Sequence, residues 1–321
     1  MRIFKFIIIG VLVLVAPVCA LQWGYYSKFR SEITSREISS IEIVANMQKE
    51  RMESFVAYNL DRLDIVTSRR IFRDLLKDYL KKHDKDSQYQ LNRSLADIRR
   101  AIPAFDVLSV ADLAGRVITS TDNALIGTDV STQEAFRHGI KHNNVAITFP
   151  DDGGGEAYVQ LTGPMVIDDQ VVAVAILKVN PAELLSLLRG PENVAEAYWT
   201  LAQRVDAVHI ALITPSTNGT TITRKIISED SESHLAEAMR GADLTILDQG
   251  PPLHTHATRF IPDVGWALLM THDASSLQKS IEDFRNSLLL IALLLSTYVV
   301  GVSLYLNHVA GRADTRSRLG H

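Results

Sequence analysis

The spacing of apolar residues changes along the chain, and each change predicts a different kind of element. From about Tyr25 to Leu80, apolar residues recur every three or four positions with charged residues between them, which is the spacing of an amphipathic helix. Residues 67–70, Thr-Ser-Arg-Arg, interrupt this pattern and offer a Ser or Thr as a helix cap. We therefore predict one long helix and a second helix that turns back at this point.

After Pro103, apolar and polar residues alternate, which is the period of β-strands. A strand, a polar turn at 112–115 and a second strand begin this region, and a polar loop follows them. We predict an antiparallel sheet of five short strands, formed by this hairpin and by residues 146–149, 157–161 and 171–179. The glycines at 153–155 fit a hairpin turn, because no helix start or lysine follows them as a phosphate-binding loop requires.

The two patterns then repeat in a shorter form. Helical spacing returns from Pro181 to Val205, and alternation returns at 208–214, 221–227, 256–260 and 266–271. Asn218-Gly219 between two of these segments is a strong hairpin signal. We predict a connecting helix followed by a second antiparallel sheet.

Two uncharged apolar stretches lie near the chain ends. Ser287 to Leu306 has the roughly 20 residues that cross a membrane as a helix, whereas a buried helix of a soluble domain is the alternative. Phe6 to Leu21 is shorter, but Trp23, Tyr25 and Tyr26 extend it with aromatic residues suited to the membrane interface. We interpret it as an uncleaved signal anchor; a signal peptide cleaved after Ala20 is the alternative.

The charges that flank these stretches predict a two-pass topology in the inner (plasma) membrane. Arg2 and Lys5 precede the first stretch and Arg312, Arg316 and Arg318 follow the second, so both termini are expected in the cytoplasm. The region between them is then periplasmic or extracellular, and it contains no cysteine because the single one is Cys19. The net charge of −4 gives no indication of nucleic-acid binding.

In this order, the segments resemble the double Cache receptors of bacteria, whose sensor domains precede histidine kinase, diguanylate cyclase or chemoreceptor output domains. Residues 107–122 are similar to the family's hairpin with an Asp-x-x-Gly turn, and they end in Ser120-Thr121-Asp122. Ile126-Gly127-Thr128-Asp129, followed by Ala135-Phe136, is similar to the segment that closes over the ligand pocket. Gly163 to Val166 with 171–179, and Val264 to Leu268, are similar to the last strands of the two modules.

The resemblance implies an α+β fold in which a long N-terminal helix carries two PAS-like antiparallel sheets between two transmembrane helices. The implied segments are a signal anchor (1–26), the long helix and its return helix (27–102), a membrane-distal Cache module (103–180), a connecting helix (181–206), a membrane-proximal Cache module (207–283), a transmembrane helix (284–307) and a short cytoplasmic tail (308–321). This tail is too short to bury a core, so an output domain is expected to be missing or on another chain.

The resemblance also implies a small-molecule pocket in the distal module, with the hairpin as its floor and the following loop as its lid. It assigns seven ligand-binding candidates: Thr121, Asp122, Phe136, His138, Tyr158, Gln160 and Asp168. Structural alternatives are a turn for Thr121-Asp122, the core for Phe136 and the surface for His138. Amino-acid-binding members have an Arg and a Trp-Tyr pair ahead of the lid helix, where this chain has one aromatic, so an amino-acid ligand is in doubt.

Enzyme motifs are absent from the sequence. It has no Gly-x-Ser-x-Gly, His-Glu-x-x-His or Walker-type motif, and its cysteine lies in a predicted membrane segment. His254 and His256 would share one face of a strand, but no third metal ligand lies nearby in the sequence. We predict no enzyme, no catalytic residues, no metal and no cofactor.

The predicted function is a membrane-anchored extracytoplasmic sensor that binds a small molecule in the distal pocket and transmits a conformational signal across the membrane. The expected partners are this ligand, the membrane and a second copy of the chain packed along the long helix. An anchored ligand-binding or scaffold protein that acts through a separate signalling protein is the alternative. A third is an exported hydrolase without a recognisable motif, cleaved after Ala20 and held in the membrane by a single anchor.

Overall fold

A computed structural model describes residues 16–149, 157–189, 197–216, 222–229, 233–248 and 254–318. They form two compact units. The first comprises the described residues up to Ser40 together with parts of 247–254 and 273–318; the second comprises the described residues of 41–246 and 255–272. Most of the predicted anchor at Phe6 to Leu21 lies outside the described residues. The predicted turns at 153–155 and 218–219 lie entirely outside them.

The described chain begins with three helices, one more than the long helix and single return helix that the helical spacing predicts. They are α1 (Ala16–Ser68), α2 (Arg70–Lys82) and α3 (Lys85–Ala101). The break between α1 and α2 falls where it is predicted, but the N-cap residue of α2 is Arg69 and no side chain caps it. Asp84 caps α3 by accepting a hydrogen bond from the Ser87 amide.

The first sheet is antiparallel and contains the five predicted strands. These are β1 (Phe105–Asp112), β2 (Val117–Ser120), β3 (Asn144–Thr148), β4 (Tyr158–Ile167) and β5 (Gln170–Val179), in the order β2-β1-β5-β4-β3. A short helix, α4 (Glu134–Gly139), lies between β2 and β3 in the chain. The central strand β5 therefore has β1 on one side and β4 on the other.

Within the described part of the chain, the second sheet has six strands, two more than the four predicted. They are β6 (Ala197–Arg204), β7 (His209–Pro215), β8 (Ile222–Ser228), β9 (Leu244–Asp248), β10 (His254–Ile261) and β11 (Trp266–Asp273), in the order β8-β7-β6-β11-β10-β9. Helix α5 (Pro181–Leu188) precedes them and α6 (Ser233–Met239) lies between β8 and β9 in the chain. The prediction of a helix through Val205 was wrong, because residues 197–204 form β6 at the centre of this sheet.

A continuous apolar core runs along α1 from Ile41 to Val66 and joins it to both sheets. Met52, Leu63 and Phe72 belong to it, as do Leu177 of the first sheet and Trp199 of the second, all almost fully buried. Burial of these large side chains supplies most of the stability of such a fold. One face of the first sheet is used in this packing, which leaves its other face for the site described below.

Helix α7 (Ser275–Arg318) ends the described chain. Its segment Ser275–Tyr305 is the one helix among the described residues that is long and apolar enough to span a membrane. Within the same compact unit, the rings of Phe29 on α1 and Phe284 on α7 lie 4.2 Å apart. One of the two predicted membrane helices is therefore supported, and the two-pass topology stays a prediction.

Candidate functional site

A cavity of about 300 Å³ lies on the face of the first sheet that does not pack on α1. Segment 122–133, here called the lid, covers it, and we call this space the lid cavity. Its lining consists of Val107, Val117, Asp122, Leu125, Thr128, Val130, Gln133, Tyr158, Gln160, Ile176 and Lys178. Mostly apolar walls with a few polar groups are typical of small-molecule sites.

Strand register brings the polar floor residues together. Lys178 on the central strand β5 pairs with Gln160 on β4 and with Val107 on β1, so these three residues form one row across the sheet. Tyr158 and Gln160 are two positions apart on β4, and Ile176 and Lys178 are two positions apart on β5. Because side chains alternate along a strand, all four point to the same face.

Lys178 is the one lysine or arginine among the lining residues. Its Nζ lies 4.5 Å from the centroid of the Tyr158 ring and 3.6 Å from Asp106 Oδ2, and its side chain is 33% exposed. The aromatic ring and the carboxylate hold the ammonium group at the floor. Its remaining donors are available to an acceptor in the cavity.

Backbone hydrogen bonds attach the lid to the β1–β2 hairpin. The Gly127 amide donates to the Val117 carbonyl at 2.8 Å, the Val117 amide donates to the Thr128 carbonyl at 3.0 Å, and the Val130 amide donates to the Gly115 carbonyl at 2.8 Å. The lid therefore extends the edge of the sheet along β2 before it crosses the cavity.

Asp side chains shape the turns of the lid. Asp122 Oδ1 accepts from the Ala124 amide at 3.0 Å, and Asp129 Oδ1 accepts from the Ser131 amide at 2.8 Å. The amide and then the hydroxyl of Ser131 hold the pKa of Asp129 below its usual value, because both hydrogen bonds favour the carboxylate. The lid thus carries its own local order at neutral pH.

Three of the seven predicted residues line the lid cavity: Asp122, Tyr158 and Gln160. Asp122 lines the cavity from the first turn of the lid, whereas Tyr158 and Gln160 line it from the floor. Gln160 is almost fully buried, and its Oε1 accepts a hydrogen bond from Thr148 Oγ1 at 2.9 Å. The amide nitrogen of Gln160 is then the end that can meet a ligand.

The other four predicted residues lie elsewhere. Thr121 Oγ1 accepts from the Leu108 amide at 3.0 Å and extends the hairpin, and Phe136 is buried in the small core beneath α4. His138 is exposed on α4 and lines a different cleft. Asp168 lies in the β4–β5 turn, where an ion pair with Lys77, through its hydrogen bond above all, lowers the pKa of the carboxyl.

Lys178 and Gln133 are lining residues that sequence reasoning missed. Lys178 is the single charge within the apolar run Val171 to Val179, which is a signal that the sequence contains. Its meaning depends on strand pairing, because only the β1–β5–β4 register shows that it faces the lid rather than the core. Among the described residues, no group of three or more His, Cys, Asp or Glu could hold a metal ion.

Comparisons with known proteins decide the fold. No family model and no curated protein matches the chain. The extracellular domain of rpHK1S-Z16 matches with a TM-score of 0.53 at 12% identity, over 75% of this chain and 97% of that domain. The ligand-binding domain of the Campylobacter jejuni chemoreceptor Tlp3, solved with L-norvaline, matches with a TM-score of 0.51 at 11% identity, over 77% of this chain and 95% of that domain.

The chain has the double Cache fold. The sensor domain of the V. cholerae histidine kinase DctB is a further match, with a TM-score of 0.48 at 11% identity over 74% of this chain and 98% of that domain. The two matches with TM-scores above 0.5 confirm, at the level of the fold, the resemblance inferred from the sequence. At these identities the double Cache fold does not specify a ligand, so the ligand has to be inferred from this chain's own residues.

Proposed function

We propose that this double Cache protein is a membrane-anchored extracytoplasmic sensor that binds a small carboxylate in the lid cavity. Lys178 carries the proposal, because it places one ammonium group on the floor of an otherwise mostly apolar cavity. A ligand carboxylate that reaches Lys178 would form a charge-assisted hydrogen bond, the stronger class of hydrogen bond in proteins. Tyr158 and Gln160 complete the polar contacts to the carboxylate, whereas Asp122 lines the lid side of the cavity.

The lid supplies the conformational response in this proposal. Leu125, Thr128, Val130 and Gln133 contact the cavity from the lid, so an occupied cavity stabilises the lid in its position over the floor. A ligand shifts a conformational equilibrium only by its difference in affinity between two states. Contacts from a movable lid provide such a difference, whereas contacts from the rigid floor alone do not.

A thermal-shift screen of the full chain in detergent tests the ligand class. Monocarboxylates and dicarboxylates are compared with amines, amino acids, purines and sugars. A ligand at 100 times its dissociation constant stabilises the folded state by about 2.7 kcal/mol, which is a shift of several degrees. Hits restricted to uncharged or cationic compounds contradict the carboxylate assignment, and a well-folded protein without hits favours the scaffold alternative.

Lys178→Met tests whether the Lys178 ammonium group binds the carboxylate, because methionine keeps an unbranched side chain and removes the charge. Affinity for the carboxylate is expected to fall about 10- to 100-fold, from the ~1.5–3 kcal/mol of a hydrogen bond to a charged group. Lys225→Met is the matched control, since Lys225 is exposed on β8 and does not line the cavity. Equal affinities in the two variants would remove Lys178 from the site.

We further propose that the sensor is a homodimer through α1. Ile43, Met47, Tyr58 and Ile65 are exposed apolar residues that fall within an arc of about 60° at 100° per residue. Their spacing of 4, 11 and 7 positions keeps them in register over six turns, as a helix packed along a second helix requires. This stripe is distinct from the buried stripe through Met52 and Leu63.

Disulfide crosslinking of the full chain in a Cys19→Ser background tests the dimer. Met47→Cys and Tyr58→Cys lie on the exposed stripe and are expected to form covalent dimers. Glu42→Cys is the control, because Glu42 is exposed on another side of α1. Monomer alone at both stripe positions, or equal crosslinking at Glu42, contradicts packing along this face.

A further inference from the structure

One side chain of the second sheet binds the backbone of the first. Gln203 on β6 reaches Ile147 on β3, where its Oε1 accepts from the Ile147 amide at 2.9 Å and its Nε2 donates to the Ile147 carbonyl at 3.2 Å. Both backbone polar groups of one residue are therefore satisfied by one side chain. Gln203 itself is half-buried.

The position of Ile147 explains this arrangement. Among the described strands, β3 is an edge of the first sheet and pairs with β4 alone, where Ile147 lies opposite Val159. In an antiparallel pair, the amide and carbonyl of alternate residues point away from the partner strand. Those of Ile147 point outward, and the Gln203 amide offers the donor and acceptor that a neighbouring strand would offer.

Thr148, the next residue of β3, contacts a residue that lines the lid cavity. Thr148 Oγ1 donates to Gln160 Oε1 at 2.9 Å, and Gln160 lines the lid cavity. Gln160 also lines a cleft of about 440 Å³ to which Gln203 and Trp266 contribute. A continuous set of contacts thus runs from Gln160 through Thr148 and Ile147 to Gln203.

Beyond Gln203 the contacts enter the centre of the second sheet. Gln203 pairs with Trp266 on β11 and with Ala211 on β7. Trp266 is almost fully buried, so a displacement of β6 at Gln203 must be taken up by its neighbours rather than by solvent. Strand β11 ends at Asp273, two residues before α7 begins.

We infer that Gln203 is a positioning residue that holds the β3 edge and thereby couples Gln160 in the lid cavity to the centre of the second sheet. The inference deepens the proposed function and rests on the lid cavity being the sensing site. A ligand that contacts the Gln160 amide changes the Thr148 hydrogen bond, and the Gln203 contact passes this change to β6.

Hydrogen exchange at the Ile147 amide of the full chain in lipid nanodiscs tests the contact. Gln203→Ala is expected to raise its exchange rate at least about ten-fold, because an unprotected edge amide is exposed to solvent. Gln203→Glu keeps the acceptor for the amide and loses the donor for the carbonyl, so a smaller increase is expected. Gln170→Ala, at an exposed position on β5, is the matched control, and an unchanged rate in Gln203→Ala overturns the inference.

Coupling is tested by fluorine NMR of the full chain labelled with 5-fluorotryptophan. Thr148→Val removes the hydroxyl that donates to Gln160, and it is expected to shift the Trp266 resonance, which Trp266→Phe assigns. The shift is expected to disappear when Gln203→Ala is added, while Trp23 serves as an internal reference. A Trp266 shift that persists without Gln203, or no shift in its presence, overturns the coupling.

Neither measurement needs a ligand. Failure of the carboxylate screen therefore leaves both results interpretable, and it counts against the proposed ligand alone. Conversely, a chain that binds a carboxylate through Lys178 but shows unchanged Ile147 exchange in Gln203→Ala retains its proposed function and loses the coupling residue.

Discussion

The two sheets of this protein use the same antiparallel construction but cover their outer faces differently. The first sheet is covered by α4, which buries Phe136, and by the lid, a loop over a polar floor that includes Lys178 and Gln160. The second is covered by α6, whose Leu235 and Ala238 pack on Ala202 and Ala267 in a small apolar cluster. Short side chains on both partners let a helix approach a sheet closely, so that face is filled.

This difference predicts that the two covers differ in how readily they move. A loop over a cavity can order or open at low free-energy cost, whereas a helix packed on alanines resists displacement because the interior is close-packed. Under the proposed function, the first sheet is then the part that responds to a ligand, and the second is the part that passes on a displacement. Pairs of equivalent substitutions, one in each sheet, test this difference.

The largest effects are expected from truncating the cover of each sheet. Phe136→Ala beneath α4 and Leu235→Ala in α6 each remove a fully buried side chain, at about 3–5 and 2–5 kcal/mol of unfolding free energy. Denaturant unfolding measures both. Phe136→Ala is also expected to abolish the thermal stabilisation of the protein by a carboxylate ligand, because it loosens the lid, whereas Leu235→Ala is expected to retain it. Loss of ligand binding in Leu235→Ala would contradict the proposed difference between the sheets.

A second pair contrasts two glycines with positive φ. In Gly265→Ala, at φ +66° between β10 and β11, the added Cβ meets nothing within 4 Å, so the cost is the left-handed backbone alone, about 1–2 kcal/mol. In Gly115→Ala, at φ +89°, the Cβ would lie 2.6–2.7 Å from Ser131 Cβ, Cα and N. Displacement of the Ser131 backbone adds about 1–3 kcal/mol.

Unfolding free energies of the two glycine variants, measured in denaturant, test this contrast. Gly115→Ala is expected to be the less stable and to raise hydrogen exchange throughout the lid. Equal losses in the two variants would mean that the lid adapts to the new Cβ without cost, and that it is less tightly fixed at Ser131 than the structure indicates.

The smallest expected effect concerns acid stability. In the second sheet the amide of Val208, together with the ring and amide of His209, lowers the pKa of Asp206 to about 2. A lowered folded-state pKa stabilises the protein above the unfolded pKa of about 3.9, and this contribution is lost as the pH falls toward 2. The melting temperature of Asp206→Asn is expected to fall less between pH 5 and pH 2 than that of the wild type.

Asp129→Asn in the lid is the comparison for Asp206→Asn. Ser131 alone lowers the pKa of Asp129, so removal of this carboxylate is expected to flatten the acid dependence less. A larger change for Asp129→Asn than for Asp206→Asn would indicate that the lid contributes more to global stability than a movable cover should.

Local periodicity predicted the long helix, its break near Thr67 and the first sheet, because each of these elements has a clear apolar period. It failed at β6, where Ala197, Leu201 and Ala202 favour a helix locally while burial between β7 and β11 imposes a strand. Tertiary context overrides local propensity at such central strands. Strand β9 and helix α6 are short, and their patterns are correspondingly weak.

The site was predicted less completely than the fold. The family resemblance assigned Tyr158 and Gln160 to the pocket, and both line the lid cavity from one face of β4. Lys178 does not follow from the sequence, because an isolated lysine near a strand end is equally compatible with solvent, and only pairing with two neighbouring strands places it beside Tyr158. Phe136 and Thr121 were predicted to bind ligand but do not line the cavity. Phe136 packs in the core, and Thr121 bonds to the hairpin backbone.

Helix α7 has a consequence for how an output would be encoded. Its 44 residues form one helix of about 66 Å without an interruption. An unbroken helix transmits angular phase as well as displacement: one inserted residue rotates everything beyond it by about 100° and advances it by about 1.5 Å. Whether ligand binding raises or lowers an output would then depend on the rotational phase of this helix. A single inserted or deleted residue can change that phase without altering the affinity of the sensing site.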